Sequence, residues 1–180
     1  MLQYHFKPLL TLCLFIVSTP LWAASAQEIN ANVRVALEDF YEEAPAGKIL
    51  AEDAAGMLVF PRVVKAGIGI GGEYGEGALL VGGETVAYYS TASASIGFQL
   101  GAQVKSQVIL FMTDEALERF RDSDGWEAGV DGSVALIELG AAQEISSNSV
   151  QQPIVGFIFS NRGLMYNLTF EGSKMSEIDR

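Results

Sequence analysis

The sequence predicts an α+β fold: two N-terminal helices, then a mainly antiparallel, glycine-rich curved sheet or partial barrel with one inserted helix. Three observations lead there. Apolar residues recur at helical spacing from Ile29 to Phe40, and from Met57 onward the period is two. The chain carries 19 glycines, many of them between short apolar runs, where they punctuate antiparallel hairpins. One short capped helical segment, following Met112, breaks the strand pattern.

The chain opens with Met1 to Pro8, which carries His5 and Lys7, followed by the apolar run Leu9 to Val17. That run is well short of the roughly 20 residues a spanning helix needs, and it has the length of a signal-peptide core. Ala24-Ser25-Ala26 supplies small residues where a signal peptidase reads them. Residues 1–26 are therefore expected to be a signal peptide cut after Ala26, and residues 27–180 one exported domain, periplasmic or secreted. The one cysteine, Cys13, lies within the apolar run and follows Leu12, so it reads as an apolar residue and not a lipid attachment site. Without it the mature chain has neither a disulfide nor a thiolate metal site.

Ile29, Val33, Ala36, Leu37 and Phe40 share one helical face, with Arg34, Glu38 and Asp39 opposite. Such a stripe suits a membrane interface, but at this spacing core packing is the better expectation. Ala44-Pro45 ends this helix. A second runs from about Ala46 to Ala55 with Ile49, Leu50 and Ala54 as its stripe and Gly56 as its cap. Strands follow: Met57 to Phe60, stopped by Pro61; Ala66 to Gly75; Gly77 to Val81; Thr85 to Tyr89; Ser93 to Gln103; and Gln107 to Met112. Thr113 then caps a helix whose Asp114 and Glu115 suit the positive end of its dipole, with Ala116, Leu117 and Phe120 facing inward. Strands resume at Ser133 to Leu139, Pro153 to Ser160 and Gly163 to Phe170, the last two as a hairpin across Asn161-Arg162. Residues 143–152 read as a loop and the tail after Gly172 as frayed.

Several blocks, in order, resemble the SYLF domain family. They are Gly56 to Gly67 running into Ile70-Gly71-Gly72-Glu73-Tyr74-Gly75-Glu76-Gly77, then Tyr88-Tyr89-Ser90 and Gly97 to Gln103. Leu110 to Thr113 with Ala116, Leu117 and Phe120 follows, then Gly125-Trp126-Glu127-Ala128-Gly129 and Ser160 to Met165. The likeness covers about residues 30–175 and is to an exported, bacterial type. It implies an α+β fold and a role in lipid binding. Eukaryotic members are associated with phosphoinositides, membrane remodelling and actin regulation. An exported protein meets no actin, so anionic-lipid binding alone is carried over, and the fold does not by itself supply a site.

The candidate chemistry is sparse. Gly67-Ile68-Gly69-Ile70-Gly71-Gly72 formally matches a dinucleotide loop, but Glu73 and Glu76 stand where phosphate would sit and no helix start follows. Alternate glycines there are better read as room for another backbone or a ring. The four-residue spacing of Gly67, Gly71 and Gly75 sits among carboxylates, unlike a membrane-helix motif. Asp122-Ser123-Asp124-Gly125 is too short for a calcium loop and reads as a helix-ending turn beside a buried Trp126. His5 is the chain's one histidine, so the mature domain has no Ser-His or Cys-His pair and no imidazole ligand; the expectation is a non-enzyme without metal or cofactor. Glu73 and Glu76 remain as groups that cap turns or hold a cation.

Loss of Lys7 with the leader removes one of 11 basic residues and none of 22 acidic ones. So acidic a domain does not bind nucleic acid broadly, and contact with an anionic surface has to be local. Arg62 and Lys65 flank the Pro61 turn beside Phe60, Val63 and Val64. The expected site is therefore a lipid headgroup held by Arg62 and Lys65, with Phe60, Val63 and Val64 touching the membrane. The alternative is a structural or protein-interaction module of the cell envelope with no lipid specificity.

Overall fold

A computed structural model describes residues 24–138, 152–163, 170 and 172–180. Helices α1 (Ala26–Glu43) and α2 (Pro45–Asp53) precede strands β1 (Gly56–Val81) and β2 (Glu84–Phe111). Helix α3 (Asp114–Arg121) follows, and then β3 (Trp126–Glu127), β4 (Ala135–Glu138), β5 (Ile154–Gly163) and β6 (Lys174–Ile178). The described strands form one mostly antiparallel sheet in the order β3-β6-β2-β5-β4, with β1 paired to β2. This is the expected α+β architecture of two helices, a curled sheet and one inserted helix.

The six short strands expected between Met57 and Met112 are instead two long ones, joined by a single two-residue turn. Gly82 (φ 58°) and Gly83 (φ 85°) both take left-handed backbone, as a tight hairpin turn requires. Pro61 does not stop the chain. It falls in a register shift between Phe60 and Val63, where an extra residue spares a proline the ladder bond it cannot make.

So long a hairpin is not straight. A Cβ on Gly75 would lie 2.8 Å from both the Arg62 carbonyl oxygen and Val63 Cγ2, and one on Gly77 would strike the Val59 carbonyl. The two halves of β1 thus press backbone to backbone, and the hairpin bends back on itself. The bend lies around residues 67–71, where a Cβ on Gly67 would run into Gly71, and a second register shift separates Ile68 from Ile70. The glycine-rich block therefore serves close backbone packing, as expected.

Two apolar clusters result. One lies between the limbs of the bent hairpin and joins Leu58, Phe60, Val63, Leu79, Tyr89, Ile109 and Phe111 to Phe120 of α3 and to Trp126. The other lies outside, where α1 covers Val59, Ala78, Leu80, Val108, Leu110 and Phe157 with Ile29, Val33, Ala36 and Phe40. The stripe of α1 is core, as the spacing suggested. Phe40 meets Phe157 edge-on at 5.0 Å between centroids. Asn30 ties the helix to β2, donating to the Tyr88 hydroxyl at 2.8 Å and accepting from Thr85 at 3.0 Å.

Other expectations shift. Ile49 of α2 is exposed, and only Leu50 of its expected stripe is buried. Ala54, not Gly56, caps α2. Thr113 caps α3, its hydroxyl accepting from Ala116 N at 3.2 Å, and Trp126 is buried, both as expected. Asn161 and Arg162 belong to β5 rather than to a turn. Most of the strand expected from Gly163 to Phe170, and nearly all the loop 143–152, lie outside the described residues. The tail is not frayed: Lys174–Ile178 pairs with both β2 and β3.

Candidate functional site

The five residues expected at the lipid site do not form one surface. In an extended strand side chains alternate between faces, and Arg62 and Lys65 are separated by an odd number of positions. Arg62 faces solvent, whereas Lys65 is 5% exposed and points between the limbs of the hairpin. Phe60 and Val63 are fully buried, because the register shift between them turns both inward. They are core residues and not membrane contacts. Val64, 37% exposed, stays on the outer face with Arg62. The expected headgroup pair and its apolar rim presupposed a turn at Pro61, and the continuous strand divides them.

Lys65 joins an internal polar group. Its cross-strand partner is Gln103, and Val63 pairs with Lys105. Lys105 Nζ lies 3.0 Å from Glu73 Oε2, both side chains being almost wholly buried. Gln107 Nε2 donates to Glu73 Oε1 at 3.3 Å, and Gln103 Nε2 to Asn161 Oδ1 at 2.6 Å. Burial pushes the Lys105 ammonium below its usual pKa; Glu73 opposes this shift and the nearby Lys65 adds to it. Glu73, left open by the sequence, thus holds the Lys105 cation across the bent hairpin. Glu76 gathers both ends of the described chain: its carboxylate accepts from Ala24 N (3.2 Å), the Tyr74 hydroxyl (2.7 Å) and Arg180 Nη2 (2.6 Å).

Arg62 has a different neighbour from the one expected. A cleft of about 350 Å³ opens between α1 and the outer face of the sheet. Arg62, Val104 and Arg162 line its floor, with Asn32, Val35 and Asp39 of α1 on the opposite wall. Arg162 is placed by an irregular step in β5. Ser160 takes a left-handed conformation (φ 49°), which a non-glycine residue adopts at a cost. The register of β5 on β2 shifts there, and Arg162 then pairs with Val104. The cleft's hydroxyls are engaged, Ser106 donating to the Pro61 carbonyl at 2.9 Å and Ser160 to Glu43 at 2.7 Å. Among the described residues neither Arg62 nor Arg162 makes an ion pair. The sequence had assigned Arg162 to a turn. The signal that finds it is parity: Arg162, Val104 and Val64 stand side by side on three neighbouring strands.

Such a cleft has the chemistry of an anion site. Two guanidiniums supply planar, permanently charged donors matched to carboxylate or phosphate oxygens, and Asp39 opposite accepts from a hydroxyl or ammonium. Among the described residues no helix is long and apolar enough to cross a membrane. Residues 92–180 match the family model of Ysc84, described as Las17-binding protein actin regulator. No curated protein matches the chain. The matched span takes in most of β2 and everything after it, including Val104 and Arg162. It agrees with the blocks that resemble the SYLF domain, and over residues 92–180 the chain matches this SYLF, or Ysc84, domain family.

Proposed function

We propose that this protein is a non-catalytic, exported module that binds anionic phospholipid at a membrane surface, with Arg62 and Arg162 receiving the headgroup phosphate. The observation that carries the reading is this pair of exposed guanidiniums, without ion-pair partners among the described residues, at one cleft of a chain with net charge −11. In so acidic a protein, two guanidiniums that line one cleft make a local anion site. Each basic group near an anionic membrane contributes roughly 1 kcal/mol, so two arginines alone give weak binding that falls as salt rises. The family model supports a role in lipid or protein association at this coarse level. Lys65 has no part in it, being internal.

Co-sedimentation with phosphatidylglycerol vesicles tests the reading. Binding is expected to exceed that to phosphatidylcholine vesicles, to weaken with salt, and to drop about thirtyfold in Arg62→Gln/Arg162→Gln, about 2 kcal/mol from two surface cations. Equal binding of the double variant, with an unchanged melting temperature, would refute the site.

A further inference from the structure

We infer that the bent end of the β1–β2 hairpin inserts into one leaflet of a bilayer, an inference that rests on the membrane reading above but on different residues. Three observations carry it. First, polarity is inverted at this end of the fold. The inward positions hold Lys65, Glu73, Thr91, Gln103, Lys105 and Gln107, all buried. The outward positions of the same strands hold Val64, Ala66, Ile68, Ile70, Ala102 and Val104. Ile68 is 81% exposed and Ile70 70%, the largest exposures among the described large apolar residues except for Val130 at 72%. Apolar outside and polar inside is the alternation of strands that meet lipid, whereas the other end of the hairpin has an apolar interior.

Second, acidic charge is absent where lipid would press. The chain has 22 acidic residues, yet the segments 62–72 and 91–107, which build the bent end, contain none. Basic residues edge it on both limbs. Val64, Val104 and Arg162 are in register on one, and Tyr74, Ala92 and Lys174 on the other. An apolar tip rimmed by cations complements an anionic bilayer: cations at the headgroups, isoleucines in the acyl region. This complementarity favours a bilayer over a second copy of so acidic a chain as the occupant.

Third, the dimensions fit one leaflet. At about 3.3 Å per residue, the outward row from Val64 to Ile68 is about 13 Å long, against roughly 15 Å for half of a 30 Å hydrocarbon core. The tip reaches into a leaflet and does not span it. The inverted polarity also explains the buried Lys105–Glu73 pair. With the apolar side of these strands turned outward, the polar side is left inside and must pair with itself.

Tryptophan placed at the tip tests the inference in the full-length protein. With vesicles of phosphatidylglycerol and phosphatidylcholine, the Ile68→Trp variant is expected to show a blue-shifted emission from its new indole and quenching by brominated acyl chains. Val130→Trp, equally exposed in the segment between β3 and β4, is the reference. Ile68→Asp/Ile70→Asp is expected to lower vesicle partitioning roughly tenfold or more without changing the melting temperature, since both side chains are in solvent. Sedimentation with vesicles, while the Ile68→Trp variant is quenched no more than the Val130→Trp variant, overturns insertion and leaves the headgroup reading standing. Quenching of the Ile68→Trp variant, with no effect of Arg62→Gln/Arg162→Gln on binding, does the reverse. Concentration-dependent dimers that Ile68→Asp dissolves, with no quenching by lipid, show that the tip covers a second copy and also overturn the inference.

Discussion

At the scale of single residues, the decisive fact is that three positions separate Arg62 from Lys65. The sequence showed two cations close together, and the strand sent them to opposite faces. Lys65 and Lys105 then share the interior with one carboxylate, Glu73. Removing the carboxylate leaves buried positive charge uncompensated, whereas removing it together with both lysines leaves none. Glu73→Leu alone is therefore expected to destabilise by about 3–5 kcal/mol, and Glu73→Leu/Lys65→Met/Lys105→Met to recover most of that loss in urea unfolding. A single variant as stable as the parent shows the pair to be energetically idle.

At the scale of elements, the bent hairpin depends on glycines pressed against backbone rather than on turns between short strands. Gly77 and Gly72 separate these roles. A Cβ on Gly77 would strike the Val59 carbonyl and come within 2.7 Å of the Phe60 ring, while one on Gly72 meets nothing nearer than Ser93 O at 3.9 Å. Gly77→Ala is expected to cost about 1–3 kcal/mol through forced separation of the limbs, and Gly72→Ala to stay within about 0.5 kcal/mol of the parent. Thermal melting of the two variants distinguishes them; equal melting temperatures contradict the backbone contact. The helices obey simpler rules. Ser25 and Thr113 cap α1 and α3 through their hydroxyls, and both helices bury the stripe their sequence spacing defines.

Across the whole molecule, one end has an apolar interior closed by α3 and Trp126, and the other a polar interior with an apolar exterior. Two buried groups connect this division to pH. Lys105 has a folded pKa below its ordinary 10.5, so the folded state releases that proton first and its contribution rises with pH towards 10.5. Tyr89, packed on Phe120 at 4.9 Å, is pushed up from 10.0 to about 12, chiefly by burial and then by Glu177. Its contribution is complete below pH 10.0 and is lost as pH rises through about 12. Thermal stability is thus expected to decline between these two values, and Tyr89→Phe to flatten the decline. An identical alkaline profile in the variant contradicts this role for Tyr89.

The sequence by itself determined the α+β class, the inward stripe of α1, the cap and buried face of α3, the family, and the use of glycines for close approach. These are local matters of period, capping and backbone room, and neighbours along the chain decide them. It did not determine that the strands from Met57 to Met112 are two rather than six, because Pro61 and the glycines read equally as turns or as bulges. Nor did it place Arg162 beside Arg62, or Ile68 and Ile70 in solvent. Those positions follow from the pairing of β1 with β2 and of β2 with β5 and from the fold-back of the hairpin. Hydrophobicity marks which residues avoid water in general; in a strand with two covered sides, only the long-range packing decides which side is inside.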